Sequence, residues 1–279
     1  MGNEWANYYF PDTFGSYWTY ENHDGEEFTR YAIAPEEIDG ETYRAFSYDP
    51  ALEDWEDYKY HLYPFYYQVS DDWVAFYNGE EIENAFKAVV RDKLEEGFLE
   101  PFKEQLNKIV PPGVTFEVNT TVEAEAQDYF YLLPTPATFN EEWNSMLTQG
   151  KFVIRIDLAG DPNEIPPGGA LIFTFNFNIL ETGAVTATET LETPAGTFED
   201  CLKIEFQAEM GMTLETIPPM ENTQSMLPAN SKFSTTIWLA PNVGIVKIAE
   251  GSENDDAEKF FELTKYEIKT TASNSNKND

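Results

Sequence analysis

The sequence predicts a mainly β protein: a strongly curved antiparallel sheet or open barrel with an inserted two-helix segment. Three observations carry this. Phe152, Ile154, Ile156 and Leu158, and again Leu171, Phe173, Phe175, Phe177 and Ile179, take every second position, the period of a strand with one buried face. About a dozen runs of this kind follow one another, more than a single open sheet usually carries without curling or closing. The longest stretch with a helical period is 80–109.

From the N-terminus, strands are expected at 17–20, 28–34, 42–48, 58–69 and 73–77. At 80–109, Ile82, Phe86, Val89, Val90 and Leu94 form one apolar stripe, and Phe98, Phe102, Leu106 and Ile109 a second. Gly97 stops the first helix and Pro101 suits the start of the next, where its missing N–H is not needed, giving helices over 80–96 and 100–109. Pro111-Pro112-Gly113 closes the unit. A further strand is expected over 114–133, and a short helix over 141–148, capped by Asn140 and ended by Gly150. The remaining strands fall at 152–158, 171–179, 185–192, 198–210, 233–239, 244–250 and 259–268. Thr193-Pro194-Ala195-Gly196-Thr197 reads as a hairpin turn, with Pro194 fixing φ and Gly196 free to take the left-handed region. Ala240-Pro241-Asn242-Val243-Gly244 is a second corner of the same kind, so the C-terminal half should be a meander. The expected organisation is one domain over 1–269, with the helical insertion at about 80–110, and a solvated tail of Ser, Asn, Lys and Asp at 270–279.

Seventeen Lys and Arg against 51 Asp and Glu give a net charge of −34. Aromatic residues make up 15% of the chain, so it should fold despite that charge. The charge repels phosphate and anionic lipid, which argues against nucleic acid as a partner and against a polybasic membrane contact. A saline habitat is an alternative source of the acidity. No apolar run has the length of a transmembrane helix. Residues 1–6 show neither a basic nor an apolar leader region, which leaves a cytosolic chain and a chain with its leader removed as alternatives. Cys201, the single cysteine, alternates with polar neighbours like a core strand residue and is expected to be buried and inert.

Few residues are placed for catalysis. There are two histidines, His23 and His61, and no Gly-x-Ser-x-Gly elbow, phosphate loop or dinucleotide fingerprint. Acid pairs are too numerous to point to a glycosidase. Calcium makes better use of them: Asp157 and Asp161 lie close to Asn163 and Glu164, and Glu253, Asp255 and Asp256 crowd a second loop, both offering hard oxygen ligands. Residues 1–78 hold 23 of the 43 aromatics, densest at 58–67, which fits cross-strand packing or a stacking surface for sugars. Met210, Met212, Met220 and Met226 accompany a long loop and suit an adaptable apolar rim.

Four blocks occur in a recognisable order: Tyr9-Phe10-Pro11 with Gly15, Trp18 and Tyr20; Thr193 to Phe198; Ala240-Pro241-Asn242-Val243-Gly244-Ile245-Val246-Lys247; and Leu263-Thr264-Lys265-Tyr266. Together they resemble a group of exported bacterial β-rich domains of unknown function. The resemblance implies a curved sheet and a secreted, periplasmic or cell-surface location with the leader removed. It brings no catalytic residues, and 80–112 falls outside the shared pattern.

The expected function is therefore a non-enzymatic envelope protein without a resident cofactor, binding an apolar or amphiphilic ligand between sheet and helices. Phe86, Val90, Phe102, Leu106, Phe173, Phe175, Met212 and Met220 are the expected lining. The alternatives are an acidic structural or adhesive domain that binds calcium, and a carbohydrate binder or hydrolase.

Overall fold

A computed structural model describes residues 2–51, 64–78, 84, 87, 99, 103–104, 113–161, 163, 165, 168–219, 232–252 and 259–269. The chain starts with a helix, α1 (Gly2–Tyr9), absent from the expectation. Among the described residues thirteen strands follow: β1 (Tyr17–Asn22), β2 (Glu27–Ile38), β3 (Glu41–Asp49), β4 (Tyr66–Val69), β5 (Trp73–Tyr77), β6 (Thr115–Ala126), β7 (Tyr129–Pro134), β8 (Glu142–Ala159), β9 (Ala170–Thr193), β10 (Gly196–Ile217), β11 (Lys232–Ala240), β12 (Gly244–Ser252) and β13 (Lys259–Glu267). They form one sheet in the order β6-β8-β9-β10-β11-β12-β13-β1-β2-β3-β4-β5-β7, with every paired neighbour antiparallel.

The sheet is open, not a closed barrel. Its ladder ends at β6 on one side and β7 on the other. Yet it curls far enough for β7 to lie beside β8. Gln127 N donates to Leu147 O at 3.1 Å as the last rung between β6 and β8. The chain then turns, and Asn78 N donating to Asp128 O at 2.8 Å leads into the β5–β7 ladder. Past that fork, β8 reaches β7 through side chains: Trp143 Nε1 and Ser145 Oγ both donate to Tyr131 O at 2.9 Å. The expected strand over 114–133 is thus two strands with different partners.

The meander from β9 to β13 is present in chain order. Its turns have the expected backbone, with positive φ at Gly196, Asn242 and Gly244. The expected helix at 141–148 is instead the start of β8. A β-bulge shifts the register between Asn144 and Met146, so Trp143, Ser145, Met146 and Thr148 are all buried. That bulge turns a period of two into a spacing of three, which imitates a helix in the sequence. Asn140, expected as a cap, takes positive φ in the turn before the strand.

The two-helix insertion is not among the defined elements. Of 80–109, only Asn84, Lys87, Leu99, Lys103 and Glu104 are described; the rest of that span, residues 58–63 of the strand expected over 58–69, and the tail at 270–279 lie outside the described residues.

Among the described residues the apolar side chains form two clusters. The larger fills the curl, with Trp18, Tyr20, Phe46, Phe76, Phe130 and Phe206 among its members. Helix α1 adds Ala6 and Tyr9 from one side, and Phe10 follows directly after it. Phe10 meets Phe46, Tyr67 and Phe76 at ring distances of 6.2, 5.2 and 5.8 Å. Aromatic residues that share the inner face of neighbouring strands explain much of the N-terminal aromatic excess: Phe46 stacks on Tyr67 at 4.6 Å, and Tyr67 Oη donates to Asp12 at 2.8 Å. Burial, then the Asp12 carboxylate, pushes the Tyr67 phenol well above its usual range. The smaller cluster lies on the far halves of the long strands.

Candidate functional site

Strands β8, β9 and β10 have 18, 24 and 22 residues, far longer than a typical strand of ~5–6. With β6 they continue beyond the curl as a four-stranded end. Cross-strand register puts Val122, Phe152 and Phe175 side by side, then Ile154 and Phe173, then Val118, Ile156 and Leu171. On β10, Leu214 lies opposite Phe175 and Met212 opposite Phe177. The inward positions make one apolar face. The opposite face is polar, with ion pairs Lys151–Glu123 at 2.9 Å and Arg155–Asp157 at 2.8 Å.

Two of the expected lining residues, Phe173 and Phe175, are buried in this cluster, and Met212 packs against it partly exposed. Phe86, Val90, Phe102, Leu106 and Met220 lie outside the described residues. Leu99 is 3% exposed and belongs to the same cluster, on the connection between β5 and β6. Sequence reasoning missed it because it stands beside the helical stripe at Phe98 and not on it. Together these side chains offer apolar contact area.

A different hollow, of about 450 Å³, opens at the fork between β6 and β7. Glu125, Gln127, Asp128, Tyr129, Tyr131 and Gln149 line it. The residue types suit a sugar, but two of them already have structural partners. Tyr129 Oη is hydrogen-bonded to Tyr43 Oη at 2.7 Å, and Gln127 Oε1 accepts from Leu147 N at 3.0 Å.

Of the calcium candidates, Asp157 and Asp161 are described, and each already has another partner. Asp157 receives Arg155 Nε at 2.9 and 3.1 Å, and this bond holds its carboxyl below the usual range. Asp161 Oδ1 accepts from Asn163 N and Nδ2, both at 2.9 Å. Glu253, Asp255 and Asp256 lie outside the described residues. Among the described residues no group of three or more His, Cys, Asp or Glu side chains converges.

Cys201 is fully buried, its Sγ 3.4 Å from Phe198 O, and burial pushes its thiol up to about 11. Near pH ~8 an ordinary thiol ionises appreciably, whereas this one stays protonated. Ellman's reagent should leave the native protein unlabelled at that pH and in denaturant form one mixed disulfide per chain, releasing one thionitrobenzoate; rapid native labelling would contradict the burial.

The fold and this site define an open, curled antiparallel sheet with a projecting four-stranded end. Residues 175–259 match the profile of a family described as DUF3108-like, a stretch that runs from within β9 to the first residue of β13. It contains two of the four sequence blocks, the 193–198 turn and the 240–247 corner. No curated protein matches the chain. Among solved structures, a lipoprotein candidate from Parabacteroides distasonis ATCC 8503 is similar over 93% of this chain and 98% of its own, at 12% identity and a TM-score of 0.39. An exported-protein candidate with a YmcC-like fold from Bacteroides fragilis NCTC 9343 is similar over 92% and 97%, at 13% identity and a TM-score of 0.40. Among the described residues no helix is long and apolar enough to cross a membrane.

Proposed function

We propose that this chain is a non-enzymatic binding protein of the cell envelope that holds an apolar or amphiphilic molecule against the apolar face of its four-stranded end. The observation that carries this reading is the second cluster, built apart from the core of the curl. A single layer of sheet with one apolar face needs a cover. Here the described cover is Leu99, from the long connection between β5 and β6 rather than from another strand. A face of Phe, Ile, Leu and Met held between a sheet and an inserted segment is suited to gripping hydrocarbon. The envelope location rests on the four sequence blocks.

Native mass spectrometry of gently purified protein should show an added lipid-like mass, and a dansyl-labelled fatty acid should bind and be displaced by its unlabelled counterpart. Met212→Glu brings an unpaired charge to the edge of this face and should weaken probe binding by about tenfold or more. A clean apo mass together with no probe uptake would overturn the reading.

A further inference from the structure

One inward position of the curl carries a charge. On β2 the buried residues alternate as Phe28, Arg30 and Ala32, and Arg30 is only 2% exposed. Its guanidinium carbon lies 4.6 Å from the Phe46 ring centroid, 4.8 Å from Trp18 and 5.5 Å from Tyr20. Nη2 donates to Tyr20 Oη at 3.0 Å, and that hydroxyl in turn donates to Ile245 O at 2.9 Å. Nε is buried with no hydrogen-bond partner. Among the described residues no carboxylate pairs with Arg30. Asp12, on the same side of the core, is already held by Arg44 and Tyr67.

Aromatic rings attract the positive charge through their faces, but they do not replace acceptors for the in-plane N–H donors of a guanidinium. A buried cation without a counter-charge is costly, and a guanidinium fork matches the two oxygens of a carboxylate. We propose that Arg30 anchors an anion site inside the curl, and that its ligand is a carboxylate, either a small free acid or the headgroup of an amphiphile. The site stands on its own residues and does not depend on the distal sheet face.

The test is thermal melting of the full chain as sodium formate replaces sodium fluoride at constant sodium. Constant sodium is required because with 34 excess negative charges any salt stabilises by screening. Wild type should gain about 3 °C or more at saturating formate, and Arg30→Met and Arg30→Gln should lose that gain. A parallel arm uses octanoate. A gain with octanoate alone assigns an amphiphile headgroup, and a gain with both assigns a free carboxylate. Equal responses of wild type and variants, or no gain with either acid, would overturn the site. If neither variant folds, wild-type crystals soaked in bromide decide: an anomalous peak beside the guanidinium supports the site, and its absence rejects it.

Discussion

Gly150→Ala should lower stability by about 1–3 kcal/mol, the usual cost of forcing extra volume into a packed place. A Cβ at this position would lie 2.3 Å from Glu123 O, 2.5 Å from the tip of the Phe177 ring and 3.0 Å from Ala124 Cα. Two of these three atoms are backbone of β6, so no rotamer change relieves them. The strand must move, and with it the β6–β8 ladder next to the fork. Urea unfolding measures the loss, and Phe177→Leu in the same chain should restore only a part, because the clash with Glu123 O remains. An unchanged midpoint would contradict the close approach of β6 to Gly150. The damage should concentrate in the distal sheet, so amide exchange in β6 should rise more than in β1 or β13.

Trp18→Ala should be costlier, about 3–5 kcal/mol for the cavity alone. Trp18 is fully buried, stands edge-on to Phe46 at 5.9 Å and donates Nε1 to Val243 O at 2.6 Å. Val243 lies in the β11–β12 corner, so this one side chain ties β1 to a turn 225 residues away. Trp18→Phe keeps most of the volume and removes the donor, and should cost about 1–3 kcal/mol for the buried carbonyl left without it. The order wild type, Phe variant, Ala variant in denaturant midpoint is the expected result. A loss below about 1 kcal/mol for alanine would contradict the full burial of Trp18.

Much of the sheet was legible because alternation and turn chemistry agree along β8 to β12. At the Thr193–Gly196 hairpin, proline, glycine and flanking alternation all say the same thing. Legibility failed where tertiary geometry overrides a local period. The Ser145 bulge put a helical spacing into β8. Helix α1 was missed because its eight residues give only two turns, and it gains its place by burying Ala6 and Tyr9 against strands far along the chain. The fork at Gln127–Asp128 was hidden in one long alternating run, since partner exchange between β8 and β5 leaves no trace in periodicity. At the candidate site, Phe173, Phe175 and Met212 came from strand alternation and loop composition, and the register then set them beside Phe152 and Leu214. Arg30 carried a readable signal, a charged residue in phase with Phe28 and Ala32, but its unpartnered Nε depends on strands whose pairing the sequence does not encode locally.

The pairing of β1 with β13 has a consequence for synthesis. Thr264 Oγ1 reaches Thr19 O across 245 residues, and the ladder from Tyr17–Glu267 to Asn22–Phe261 is laid down between the same distant segments. A nascent chain emerging from the ribosome cannot complete its main curl until nearly all of it has been made. The strands from β1 to β5 must wait as a hairpin array with a bare margin, exposed to pairing with other copies. Such a chain gains from being kept extended or chaperoned until its last strand arrives, and truncations that remove β13 should aggregate rather than yield a smaller soluble fold.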